Sequence, residues 1–314
     1  MILYAGSQSD GLRPTLYDFL VHRALDFFES EKYYLTKPAF KFYLDAKEDF
    51  SDAKSFVARK IQAKDSLATE FRTLMLFQDA LAFHLNDKDP KALIDLDLRR
   101  LRYARSKSIL NDKNLLYLER LEALKEQYKD NEASAEITFY IATYYNEQGN
   151  KYKPSPTEEY RWDIKKAYDI CQEVIKKFPN SYGASHCKAL ANTIQYKNIS
   201  LNIEKINPIG KSVLALLSYK NINKIYLKAI PVTQAQYEGF TNKYGDKQID
   251  YLNALPSTYK WSLDLKNEGD YQNHSTEFEI PALANGRYII AVSHNEKFTY
   301  LPMLSHLAKF LFLI

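Results

Sequence analysis

Two cysteines, Cys171 and Cys187, are the only thiols in a chain of 314 residues. Cys171 falls about seven residues before its predicted helix ends at Phe178, and Cys187 about five residues into the helix that restarts near Tyr182. At a rise of about 1.5 Å per residue, antiparallel helices bring the two to within about one turn in height. That geometry admits a disulfide in an oxidising compartment, and it equally admits two buried thiols. Neither cysteine has a patterned histidine partner for nucleophilic catalysis, and the pair with His186 does not make a zinc pattern.

Other residue types able to do chemistry are scattered. Gly210-Lys211-Ser212 resembles the end of a phosphate-binding loop, but Lys205 stands where the loop needs a glycine and a strand follows, so the tripeptide reads as a turn. The six histidines, His22, His84, His186, His274, His294 and His306, form no His-Glu-x-x-His pair. Carboxylate pairs such as Asp95-Asp97 and Glu158-Glu159 read as solvated helix charge. Arg99, Arg100, Arg102, Arg105 and Lys107 are the densest basic stretch, interleaved with Leu98, Leu101 and Tyr103, and read as the wet face of a helix. A net charge of +4, with both signs mixed, gives no argument for nucleic acid. No acid, base and pocket assemble, so the expectation is a non-enzyme with no catalytic residue, cofactor or metal.

Aromatic residues are the other resource: 25 Tyr and 17 Phe. Their default is helix and sheet packing. Tyr140, Tyr144, Tyr145, Tyr160 and Trp162 are the candidate binding aromatics, since they cluster around an interruption between two helices.

The elements that must position these residues change character along the chain. Leu16, Leu20, Ala24 and Phe27 fall on one helical face, and Phe71, Leu74, Phe77, Leu81 and Leu85 on a second, ended by Asn86-Asp87 and Pro90. Ile94, Leu98 and Leu101 make a third stripe, and Leu118, Leu121, Leu124 and Tyr128 a fourth. Ile137, Tyr140, Ile141, Tyr144 and Tyr145 precede a stop at Gln148-Gly149. A further helix carries Ile164, Ala167, Tyr168, Cys171, Val174, Ile175 and Phe178 to Pro179-Asn180. The tyrosine face, glycine stop, alanine-led second helix and terminal proline follow the tetratricopeptide pattern, with residues 150–160 as an insertion.

Near Tyr196 the period shortens. Leu201 and Ile203, Val213 to Tyr219, Ile225 to Ala229, the alternation at Trp261, Leu263 and Leu265, and the runs either side of Asn285-Gly286 read as short strands. Residues 234–255 are polar and long, with room for a short helix. The expected fold is α+β and multidomain: a helical-repeat (TPR-like) array over 1–196, then an antiparallel β-sandwich, immunoglobulin-like in its strand spacing, over 197–314. No run approaches the ~18 apolar residues of a membrane span, and residues 1–10 show no signal-peptide pattern.

Several stretches resemble one family, the large alpha-2-macroglobulin-like proteins of Bacteroides-type bacteria. They are Arg13-Pro-Thr-Leu-Tyr-Asp-Phe-Leu-Val-His-Arg-Ala-Leu-Asp-Phe-Phe28, Ala167-Tyr-Asp-Ile-Cys-Gln-Glu-Val-Ile-Lys-Lys-Phe-Pro-Asn-Ser-Tyr-Gly183, Leu217-Leu-Ser-Tyr-Lys-Asn-Ile-Asn-Lys-Ile-Tyr226 and Ile280-Pro-Ala-Leu-Ala-Asn-Gly-Arg-Tyr-Ile-Ile290. The resemblance implies a non-catalytic amino-terminal scaffold of a protease inhibitor that traps its target, with the β part as the first macroglobulin domain. It further implies a periplasmic or outer-membrane-anchored protein, partnered by downstream macroglobulin domains and, through the whole protein, by proteases. Membrane contact would come only through a lipid anchor outside this chain. Some members carry a Cys-Gly-Glu-Gln thioester; Cys171-Gln172-Glu173-Val174 departs from it and lies on an amphipathic helix, so no thioester is carried over. The alternative is a helical-repeat surface protein that takes a glycan or peptide on its tyrosine-rich face, with an accessory β-sandwich.

Overall fold

A computed structural model describes residues 9–30, 38–154, 158–204, 206–207, 210–299 and 308–313. The protein is mixed α and β. Helices come first: α1 (Ser9–Leu12), α2 (Leu16–Glu29), a 3-10 turn (Lys47–Phe50), α3 (Ala53–Ala58), α4 (Thr69–His84), α5 (Lys91–Lys107), α6 (Lys113–Gln127), α7 (Ser134–Gly149), α8 (Asp163–Lys177) and α9 (Tyr182–Gln195). Strands follow: β1 (Asn198–Ile203), β2 (Ile206–Asn207), β3 (Val213–Lys220), β4 (Lys224–Pro231), β5 (Tyr259–Asp264), β6 (His274–Ile280), β7 (Arg287–Ser293) and β8 (Ala308–Leu313). Between β4 and β5 come α10 (Gln234–Thr241) and α11 (Asp246–Ala254), so the polar stretch expected to hold a short helix holds two.

Contacts divide the chain into two compact units, one of Met1–Tyr145 with Ala167–Leu190, the other of Asn146–Lys166 with Ala191–Ile314. The helix-to-strand change falls between Gln195 and Asn198. The second unit also takes in the segment between α7 and α8 that reads as a helical insertion.

In the first unit the core gathers Leu25 of α2, Phe56 of α3, Leu74, Phe77 and Leu81 of α4, Leu98 and Leu101 of α5, Leu121 of α6, and Ile137 and Ile141 of α7. Periodicity placed α4 to α6 on their correct faces. On α2 it did not: Leu16, Leu20 and Phe27 are exposed, while Asp18, Val21, His22 and Leu25 are buried. Polar residues take the inner face because each has a partner there. Thr15 and Asp18 close a capping box at the start of α2. His84, the last residue of α4, bridges Asp18 at 2.6 Å and Asp87 at 2.6 Å.

The basic stretch on α5 is a wet face only in part, with Arg102 exposed and Arg99, Arg105 and Lys107 half-buried. Arg100 has no exposed surface; it donates to Asp97 and to the carbonyls of Asp49 and Ser51, with its guanidinium 4.3 Å from the centre of the Phe56 ring. Arg99 reaches back to Asp26 and Glu29 on α2. These side chains tie α5 to α2 and to the 3-10 turn.

The second unit holds two sheets, with strand orders β1-β3-β6 and β2-β8-β7-β4-β5. All pairings are antiparallel except the short β2 against β8. One apolar cluster draws on both sheets, with Ile199, Leu201, Ala215, Leu217 and Ile280 from the first and Ile225, Leu227, Ile290 and Val292 from the second. β6 and β7, consecutive in sequence around Asn285-Gly286, belong to different sheets, so that turn joins sheets and does not close a hairpin. No described helix is long and apolar enough to cross a membrane.

Candidate functional site

Gly149 and Arg161 are tied to the β5–β6 connection of the second unit by a polar clamp. Arg161 is the hub: its Nε donates to Asp270 at 3.1 Å, Nη1 to Glu158 at 2.6 Å, and Nη2 pairs with Glu268. Asp270 is fully buried and also accepts from the backbone N–H of Gln272 at 3.1 Å, with the His274 ring nitrogen at 2.9 Å. Burial works to raise the Asp270 carboxyl, but hydrogen bonds from His274, Gln272 and Arg161 outweigh it and hold the group below its ordinary value. The Gln272 amide completes the clamp by donating to the carbonyls of Gly149 and Arg161, both at 3.1 Å.

The backbone on both sides of this clamp is strained. Of five described non-glycine residues with positive φ, Glu158 (47°), Tyr160 (64°) and Tyr271 (57°) all lie here, beside Gly269 at 76°. Such conformations persist only where surrounding contacts over-determine them. Here the contacts are the Arg161 ion pairs and the Gln272 bonds. Gly149 is needed for space as well, since a Cβ there would lie 2.5 Å from the Ile164 side chain and 2.7 Å from its nitrogen. On this braced frame Tyr160 (37% exposed) and Trp162 (47% exposed) present ring surface, and the Arg161 guanidinium lies 5.3 Å from the Trp162 ring centre.

The five candidate aromatics therefore divide. Tyr140, Tyr144 and Tyr145 pack against the helical core of the first unit, with Arg102 over the Tyr140 ring at 4.8 Å and Arg105 over Tyr144 at 5.3 Å. Tyr160 and Trp162 belong to the second unit. No family model and no curated protein matches the chain.

The cysteines are free thiols, both fully buried. Contact with the Cys171 sulfur, aided by burial, pushes the Cys187 thiol upward, the opposite of an activated nucleophile. Gly210 lies in a turn with φ of 71° and open space around it, as the turn reading requires. Of the histidines, His84, His186 and His274 each face a carboxylate within hydrogen-bond distance. His22 faces Arg99, and His306 lies outside the described residues. Among the described residues no group of three or more His, Cys, Asp or Glu can hold a metal ion. Sequence reasoning missed Arg161, Asp270 and Gln272, because their partners lie more than 100 residues apart. The local hint was a glycine followed closely by Asp270, Gln272 and His274, a turn rich in polar side chains.

Proposed function

We propose that this chain is the non-catalytic amino-terminal scaffold of a bacterial alpha-2-macroglobulin-like protease trap, a tetratricopeptide-like helical array leading into a first macroglobulin-type β-sandwich. The observation that carries the reading is the single apolar cluster shared by the two sheets of the second unit, reached after a run of helices. Two sheets closing over one core after helix pairs is the order the family resemblance calls for. The scaffold role is supported by the fate of the side chains that could do chemistry. Arg99, Arg100, Arg161 and His84 are taken up in ion pairs that hold elements together.

On this reading, contacts with adjoining macroglobulin-type domains fall to the braced loops of the second unit. Trp, Tyr and Arg are the residue types that dominate interface energies, and Tyr160, Arg161 and Trp162 are consecutive there. The family reading places the protein in the periplasm or on the outer membrane. The packing of Tyr140, Tyr144 and Tyr145 into helix contacts weighs against a glycan- or peptide-binding tyrosine face.

The test is binding of this chain to the adjoining macroglobulin-type domains supplied in trans, by calorimetry. Trp162→Ala is expected to weaken it at least about tenfold, a loss of about 1.4 kcal/mol. Equal affinity of the wild type and the variant would remove these loops from the contact.

A further inference from the structure

β5 is an edge of its sheet in the second unit: it pairs with β4 on one side and, among the described residues, with no strand on the other. The register with β4 fixes which of its backbone groups are left over. The Leu265 N–H donates to the Asn223 carbonyl at 2.7 Å, and the pairing runs without a shift from Lys224–Asp264 to Ala229–Tyr259. In an antiparallel ladder the bonding side alternates residue by residue. Tyr259, Trp261 and Leu263 therefore turn their N–H and C=O towards β4, and Lys260, Ser262 and Asp264 turn theirs outward. An open row of this kind is a template for another strand.

The side chains sort by face. Trp261 and Leu263 lie on the inner face, packed against the apolar cluster but only half-buried. Lys260, Ser262 and Asp264 lie on the outer face and are exposed. Lys260 stands opposite a like charge, Lys228 of β4. Asp264 stands opposite Lys224, 3.6 Å away, but its side chain stays 87% exposed and open to a second cation.

Turned end for end about Ser262, this strand complements itself. Antiparallel pairing of two copies on that axis sets Lys260 of each against Asp264 of the other, Ser262 against Ser262, and Trp261 against Leu263. The charged and serine positions are the outward-bonding ones, so each such pair exchanges N–H···O bonds. The Trp–Leu pairs fall between them, at the positions where cross-strand side chains come closest. The edges of the other sheet lack this symmetry. β1 carries no charged residue, and the exposed face of β6 holds Ser275, Glu277 and Glu279, so no register of β6 on itself brings opposite charges together.

We propose that β5 pairs with β5 of a second copy of this chain, antiparallel about Ser262, so that one sheet runs through a two-fold homodimer. Strand addition supplies the backbone bonds, and the self-complementary charges select a second copy and fix the register. A strand edge of this length covers less than the ~1,600 Å² of a standard interface, which places the association in the weak class. This proposal is independent of the role assigned above to the loops at Tyr160–Trp162.

The experiment is sedimentation equilibrium of the whole chain from about 10 to about 500 µM in low salt. The wild type is expected to shift from monomer to dimer across that range. Lys260→Asp sets carboxylate against carboxylate at both charged pairs, and Asp264→Lys sets ammonium against ammonium, so each variant alone should dimerise at least about tenfold more weakly. Mixing the two variants restores opposite charges at every pair, and the mixture should associate at least as well as the wild type. Both changes are on exposed side chains, and circular dichroism confirms that each variant is folded. Ser262→Pro, which removes an N–H that β4 does not use, should also abolish the dimer. A wild type that stays monomeric at about 500 µM overturns the proposal. So does a dimer that both single variants leave intact, or a mixture of the two that associates no better than either alone.

Discussion

Replacing Arg100 with methionine removes the most deeply buried charge on α5 while keeping much of the side-chain volume. The guanidinium gives two hydrogen bonds to Asp97, at 2.8 and 2.6 Å, one to the Asp49 carbonyl at 2.6 Å and one to the Ser51 carbonyl at 2.8 Å. Asp97 is 1% exposed, so the variant strands a buried carboxylate. Removing one partner of a buried ion pair costs roughly 3–5 kcal/mol, and each carbonyl left without its donor adds roughly 1 kcal/mol. Arg120 Nη2, 3.7 Å from the other Asp97 oxygen, can move in and recover part of this. The expected net loss is about 4 kcal/mol, or about 8–16 °C in the melting temperature of a unit this size. Urea and thermal unfolding followed by circular dichroism measure it. Adding Asp97→Leu to Arg100→Met should restore at least about half of the loss, because the stranded charge is then gone. A single variant within about 1 kcal/mol of wild type would refute the buried-hub reading and return the arginine stretch to the helix surface.

Three further outcomes follow from the same geometry. Burial opposes the charge on Asp18, but hydrogen bonds from Thr15 and His84 outweigh it and hold its carboxyl below the ordinary value. The folded chain therefore binds that proton less readily than the unfolded chain. The stability it contributes is complete above the unfolded carboxyl's value of about 4 and is lost as pH falls through the lower folded value; the urea midpoint should drop more steeply in acid for wild type than for Asp18→Asn. Lys228 is buried, donates to Asn253 at 2.7 Å and is pushed down to about 8 by burial, with Lys260 adding to the effect. The unfolded chain keeps that proton to higher pH, so stability should rise as pH climbs from about 8 to 10, and Lys228→Met should abolish the slope. A Cβ on Gly183 would lie 2.3 Å from the Ala135 carbonyl carbon, a backbone atom that cannot swing aside, so Gly183→Ala should cost more than about 1 kcal/mol by thermal melting.

Much of the architecture was legible because it rests on periodic burial. The stripes on α4, α5 and α6 are core faces, and the loss of the 3.6-residue period near Tyr196 marks the last helix before β1. The failures share one cause, that polar residues went inside with partners distant in sequence. On α2 the apolar Leu16, Leu20 and Phe27 point outward, because Asp18 and His22 occupy the inner face with His84 of α4 and Arg99 of α5. No local pattern announces such pairings. Arg100 read as surface for the same reason. The insertion between α7 and α8 was visible as a break in the helices, but its attachment to the β5–β6 connection depends on Arg161, Asp270 and Gln272, which only the folded chain brings together.

The scaffold reading is tested most directly by titrating the purified chain of 314 residues against a panel of endopeptidases acting on a protein substrate. The account predicts undiminished proteolysis at molar excess and no covalent adduct on a denaturing gel. Stoichiometric loss of protease activity, or a protease-linked species, would contradict it.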